Sequence, residues 1–426
     1  MHDLVRDLCI RKAQEEKFLE SGLFRHVNET PTYDQRRVSI HNPVLFSKLG
    51  YYDSTIRTII RFPLCEKTLN CLKGFRLLRV LDVVDVKLIS KKFPTEFLEL
   101  FFLRYLAFSF MCETEFEIPA SISRLRNLET LVICPYTNYY ERIGIRVRLP
   151  LEIWRMKQLR HLVLLSLDTL PDPCPRYSAL ENLQTLVRVS NFKCTKEILQ
   201  MIPNLKKLGI VYQRYGIEWC EYNLNNLVHL HQLEKLSIRV LDSLTNPLAL
   251  WGNLAFPMKL RKLKLKGFVL CPQDMMVVGS LPHLEVLKLK CCSFEDCKWE
   301  TKEEEFPRLK FLQIIETNLQ LWVTETSHFP RLQRLMLCCR NLDEIPNDFG
   351  EIPTLELIEV NKWDKSLVES AKRIKKEQHS LGNDSLQVRI VNFFNTFRFP
   401  IEWVRKARET NKLNQRFMAR YMPKRR

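Results

Sequence analysis

Glycine is scarce in this chain, 11 of 426 residues, with 21 prolines. That excludes a collagen-like or Gly-rich flexible architecture. No G-x-x-x-x-G-K-[ST] loop occurs, so nothing here cradles a nucleotide in that manner. The opening MHDLVRDLCIRKAQEEKF lacks the apolar core of a secretory signal. The most apolar stretch, FLELFFLRYLAFSF, is too short to span a bilayer and is interrupted by Glu99 and Arg104. The fourteen cysteines form no C-x-x-C arms. His283 with Cys291, Cys292 and Cys297 is the nearest approach to a zinc set, but without such arms no metal is expected. Free thiols point to a reducing compartment, hence a cytoplasmic protein, with the nucleus or a membrane surface as alternatives. No Ser–His–Asp or Cys–His arrangement emerges, so no catalytic residue is expected and the chain reads as a non-enzyme. Acidic residues are also short, 49 against 66 basic, for a net charge of +17. Acidic partners are therefore plausible, though charge alone names none.

What the chain has in abundance is one frame, L-x-x-L-x-L. It occurs as LRVLDV, LRYLAF, LETLVI, LRHLVL, LQTLVR, LKKLGI, LEKLSI, LRKLKL, LEVLKL, LKFLQI, LQRLML and LELIEV. The central residues are 81, 106, 131, 162, 186, 208, 236, 263, 287, 312, 335 and 358, spaced by 22 to 31 residues. That is the period of leucine-rich repeats. The alternation within each frame predicts a short strand with its leucines on one side. Stacked coils would bury those leucines against one another, since no coil is stable alone. In EIPASISRLRNLETLVI, Ile118, Ile122 and Leu125 would supply the return leg over the same core. Pro119, Pro150, Pro171 and Pro346 mark the steps between legs. RRVSI and IRTIIRF read as two degraded copies ahead of the first clear one. The expected fold is an α/β solenoid, a leucine-rich-repeat horseshoe with parallel strands on the concave face. The frame divides the chain into a helical segment at 1–35, the solenoid at 36–361, a C-terminal cap at 362–390 and a basic tail at 391–426.

Three blocks in order, MHDLVRDLCIRKAQEEKFL, IPASISRLRNLETL with LPLEIWRMKQLRHL, and CCRNLDEIPNDFGEIPTLELIEV with SAKRIKKEQHSLGNDSLQVRI, resemble the C-terminal part of plant nucleotide-binding leucine-rich-repeat resistance proteins. The late-blight-resistance group of nightshades is the most similar, over roughly residues 1–390. The irregular spacing resembles the cytosolic class of repeats; Cys292, Thr317 and Arg340 stand where Asn usually follows the strand. The resemblance implies that His2 and Asp3 match the M-H-D step of the nucleotide-binding module, whose His helps hold a diphosphate. With no phosphate loop here, they read as a remnant, or simply as the first turn of an amphipathic helix. Either the chain is a truncated relative or its reading frame begins inside a longer protein. ADP or ATP would be a cofactor only as part of such a receptor. The implied role is defence: the repeats sense a pathogen effector or a guarded host protein, or restrain the nucleotide-binding module.

Strand residues between the inward leucines would face the partner. There the sequence places Lys207, Lys235, Arg239, Lys262, Lys264, Lys266, Lys288, Lys290 and Arg334. Strands lie about 4.8 Å apart, so these cations are expected to form a stripe suited to an acidic protein surface. The plainer reading is a lysine-rich face that only confers solubility. Tyr105, Thr130, Val132 and Val163 make the earlier part of that face more apolar. The segment 362–426 carries a net +11. Trp403, Ala407, Leu413, Phe417 and Tyr421 would line one face of a broken basic helix. Contact of such a helix with an anionic membrane or nucleic acid competes with a solvated, disordered extension. Two other functions stay open: a nucleic-acid-binding protein using the stripe and tail, and a ubiquitin-ligase substrate adapter, which the absence of an F-box disfavours.

Overall fold

The computed structural model describes residues 20–21, 37–39, 56–60, 69, 72–84, 92–110, 115–135, 146–164, 170–212, 222–241 and 254–393. They divide into two compact units, Met1–Val269 with Leu281–Leu284, and Leu270–Ser280 with Glu285–Arg426.

In the first unit each described strand of the main sheet pairs in parallel with that of a neighbouring coil of the unit. The clear strands are Val80–Val83, Tyr105–Phe110, Thr130–Pro135, His161–Leu164, Thr185–Ser190, Lys207–Tyr212, Lys235–Val240 and Lys262–Lys266. The register is the one the frame demands: Leu81, Leu106, Leu131, Leu162, Leu186, Leu208, Leu236 and Leu263 stand side by side. None of these eight is more than 2% exposed. Each such side chain taken from water stabilises the fold by roughly 1.5–3 kcal/mol before entropy is counted. The two degraded copies are short strands of the same sheet, Arg37–Ser39 and Thr58–Ile60. Glu20–Ser21, within the segment expected to be helical, is also a strand and pairs with Val38 and Ser39. A ladder needs only backbone N–H and C=O groups, which any sequence supplies. The rest of 1–35, His2 and Asp3 included, lies outside the described residues.

The return legs are mostly single 3-10 turns. Pro119 and Pro150 stand extended immediately before Ala120–Arg124 and Leu151–Arg155. Proline lacks an N–H and forces extended geometry on its predecessor, so the outer strand stops there and the turn begins. Ile118, Ile122, Leu125 and Leu128 are all buried. A smaller outer pair, Glu115–Glu117 with Arg146–Arg148, aligns the fully buried Phe116 with Val147. Asparagine does bridge coils here, but from a place ahead of the strand. Asn127, Asn182 and Asn204 each sit just before the first leucine of a frame. Their Nδ2 groups donate to the carbonyls of Phe101, Lys157 and Glu181 in the preceding coil, at 3.0, 2.9 and 2.9 Å.

In the second unit the strands Val286–Lys290, Phe311–Ile315, Arg334–Cys338 and Leu357–Asn361 align Leu287, Leu312, Leu335 and Ile358. Its outer side is aromatic. Trp299 and Trp322 oppose each other on paired outer strands and stack 5.0 Å apart at 9°. Phe329 meets both edge-on and Phe349 packs 4.8 Å from Trp322. The helix Lys365–Ser380 follows the last of these strands and buries Leu367, Ala371, Ile374 and Gln378, one stripe of a 3.6-residue period. Ser370 Oγ both donates to the carbonyl and accepts from the N–H of Ile345.

Two expectations are corrected here. The repeat does not stop at residue 361. After the helix, Gln387–Val391 adds another parallel strand, Val388 beside Ile358. The frame was unreadable because Ser385 replaces its first leucine and Val388 its second. Nor does Arg340 take the place that Thr317 and Cys292 occupy. Arg340 is exposed, and Cys339 is the fully buried residue, its Sγ donating to the Ile314 carbonyl at 3.5 Å. Cys291 and Glu316 turn through left-handed φ of 48° and 54°, delaying the inward residue by one position. The turn after Cys338 has no such step, so its inward residue comes one place sooner.

Gly350 lets the helix approach its supporting turn: an added Cβ would lie 3.0 Å from Ile374 Cγ2. Gly350→Ala is therefore expected to destabilise the second unit by about 1–3 kcal/mol. Gly74, with nothing within 4 Å of such an atom, should accept Ala without loss. Urea denaturation of both variants checks the contrast.

Candidate functional site

The side of the sheet opposite the leucines carries the candidate residues, and the register decides which of them meet. In the first unit Lys207, Lys235 and Lys262 are direct neighbours on three consecutive strands. Two residues along, Gly209, Ser237 and Lys264 align, followed by Val211, Arg239 and Lys266. These nine positions hold six cations and no carboxylate. Neighbouring strands lie about 4.8 Å apart, and alternate residues along one strand about 6.7 Å. Lys207, Lys235 and Lys262 are exposed; Arg239, Lys264 and Lys266 are half-buried.

The same face changes character along the unit. Tyr105, Thr130, His161 and Thr185 continue the first column, and Ala107, Val132, Val163 and Val187 the second. At the far end the Tyr105 hydroxyl donates to Asp82 at 3.3 Å. Burial first, and then the Asp82 charge, push that phenol up to about 12. An acidic corner, an aliphatic strip and a cationic block thus follow one another on one face.

One further cation escaped the frame. Arg188 occupies the third leucine position of LQTLVR. There the pairing skips from Val187–Gly209 to Val189–Ile210, and Arg188 takes a left-handed φ of 63°. The bulge expels Arg188 to the surface and turns Val189 inward. An arginine in a leucine slot was the available signal.

The second unit treats its three candidates differently. Lys288 Nζ lies 4.9 Å from the centre of the Phe311 ring, and the Arg334 guanidinium 5.3 Å from it. Arg334 also pairs with Glu359, Nε to Oε2 at 2.7 Å, and that carboxylate is 6% exposed. Arg334 is thereby committed to its own chain. Lys290 is half-buried at the strand end. Beyond it Ile315, Cys338 and Phe393 form a buried cluster with Met336 and Val391 around it. The chain's own residues after Gln387–Val391 cover that part of the face, which the alternation alone had left open. The tail residues 394–426, with Trp403, Ala407, Leu413, Phe417 and Tyr421, lie outside the described residues. Among the described residues no helix is long and apolar enough to cross a membrane.

A family model described as a leucine-rich repeat region matches residues 55–382. The chain belongs to the leucine-rich repeat family. Within it, the chain is 31% identical over 407 residues to the late blight resistance protein homolog R1B-8 of Solanum demissum, covering 89% of this chain and 32% of that protein. It is 31% identical over 406 residues to a second late blight resistance protein homolog of the same species, covering 89% and 49%. The chain therefore spans about a third of one relative and half of the other. Among solved structures, an internalin of Listeria monocytogenes is similar at 12% identity and a TM-score of 0.47, covering 81% of this chain and 84% of that one. The repeat solenoid expected from the frame is the fold observed.

Stacked like charges cost stability. Lys235, the middle of three adjacent lysines, is the place to relieve it. Lys235→Gln should raise stability by roughly 0.2–0.5 kcal/mol at low ionic strength, and the gain should vanish near about 1 M salt. Thermal melts at both salt concentrations test this.

Proposed function

We propose that this chain is the recognition region of a plant disease-resistance receptor of the late-blight type, acting by binding protein and not by catalysis. Membership of the repeat family and the similarity to resistance protein homologs support a protein-interaction role in defence. The observation that carries the finer reading is the cationic block of the first unit, six cations on nine positions without a carboxylate. Such a block favours an acidic protein partner, speeds its approach and disfavours basic competitors. The candidates are a pathogen effector, a guarded host protein, or the nucleotide-binding module of the receptor, with the adjoining valine strip supplying apolar contact. The chain acts in the cytoplasm and needs no cofactor of its own; ADP or ATP belongs to the nucleotide-binding module.

The module is the partner most directly tested. Co-expressed in leaf tissue with the part of the R1B-8 relative that this chain does not match, the chain should co-purify with it. The variant Lys207→Glu/Lys235→Glu/Lys262→Glu changes exposed side chains only, and should weaken the purified complex at least tenfold. Unchanged affinity in that variant overturns the assignment of the face. Tight, steeply salt-dependent binding of single- or double-stranded nucleic acid by the unaltered chain, with no protein complex, would replace the proposal by the nucleic-acid reading.

A further inference from the structure

Away from the strand face, the first unit carries a second concentration of positive charge on its return legs. The 3-10 turns Ala120–Arg124 and Leu151–Arg155 belong to consecutive coils and pack on each other. Arg124 and Arg155 hold the same frame position, each four residues ahead of a first leucine, Leu128 and Leu159. Together with Arg126 they line an open depression of about 690 Å³. Ser121, Ser123 and Phe101 complete its wall, and the Asn127 amide there is already donated to the Phe101 carbonyl. No carboxylate lines it among the described residues.

The neighbouring coil explains why three guanidinium groups collect without neutralisation. The frame position of Arg124 and Arg155 is occupied one coil earlier by Glu99, and Glu99 is ion-paired to Lys73 at 3.2 Å. Phe101, at the frame position of Arg126 in that same coil, is 56% exposed. A half-exposed aromatic ring thus stands beside three arginines, a combination that solubility alone does not call for.

We propose that this depression binds a phosphomonoester carried on a flat organic group. The phosphoryl oxygens engage Arg124, Arg126 and Arg155, and the flat group lies against Phe101. A phosphomonoester carries close to two negative charges at neutral pH and offers three acceptor oxygens. A carboxylate offers one charge and two oxygens, and would leave a guanidinium unmatched. Arginine forks bind phosphate bidentately, which a lysine cluster does not do. The Ser121 hydroxyl is a further donor on the rim. The ligand's source is either a free aryl or nucleoside phosphate or a phosphotyrosine side chain of a protein.

The full chain is titrated calorimetrically with phenyl phosphate, inorganic phosphate and phenol. Phenyl phosphate should bind saturably, inorganic phosphate about tenfold more weakly, and phenol not at all. Arg124→Gln/Arg155→Gln should weaken phenyl phosphate at least tenfold. Phe101→Ala should reduce phenyl phosphate to the level of inorganic phosphate while leaving the latter unchanged. These side chains lie at the surface, and thermal melts verify that the variants fold. Adenosine monophosphate binding more tightly than a phosphotyrosine peptide assigns a free ligand; the reverse order assigns a protein. The triple lysine variant of the strand face should leave phenyl phosphate binding intact, which separates this site from that one. Phenyl phosphate bound no more tightly than inorganic phosphate, or bound equally by the double arginine variant, overturns the proposal.

Discussion

The central leucine of each coil is buried by the central leucine of the next, and the rest of the structure depends on that contact. A coil of some 25 residues has one apolar strand edge and one apolar return leg, with nothing of its own to cover either. Stacking in parallel register solves both problems. It covers the leucines, and it satisfies each strand's N–H and C=O groups through its neighbours. Leu208, Leu236 and Leu263 are therefore at once the core and the ruler. Because the side-chain period is two, fixing them inward fixes Lys207, Lys235 and Lys262 outward.

The proposed function rests on what the ruler leaves facing out. In the first unit the outward columns pass from Asp82 and Tyr105 through valines to a block of cations. A partner with an acidic part and an apolar part matches that gradient better than a purely charged one. In the second unit the outward side chains are largely engaged within the chain. Arg334 is bound to Glu359, and Ile315 and Cys338 are sealed by Phe393. Of the nine candidate cations, Arg334 is thus held by Glu359, and Lys288 shares the Phe311 ring with it.

The regular part of the fold was legible because hydrophobic period is a strong local signal. Twelve frames predicted twelve strands, and the centres they named are the residues that align. The exceptions share one cause: each replaces a leucine or shifts the step by one residue. Arg188 is thrown out by a bulge that the frame cannot register. Cys339 enters the core in place of Arg340 because its turn lacks a left-handed residue. The coil ending in Gln387–Val391 was hidden by Ser385 and Val388. Of the candidate site, the block in the first unit was readable from alternation alone.

The sequence by itself determined the repeat, its phase and therefore the sign of the face it presents, since these depend only on spacing along the chain. Tertiary structure decided which of those charges are paired within the chain, as Arg334 is, and which lie together on the return legs. Contacts such as Arg334 with Glu359, Phe393 over Ile315, or Arg124 beside Arg155 join residues some 25 or more positions apart. Their meeting depends on coil length, bulges and turn geometry, which no local pattern encodes.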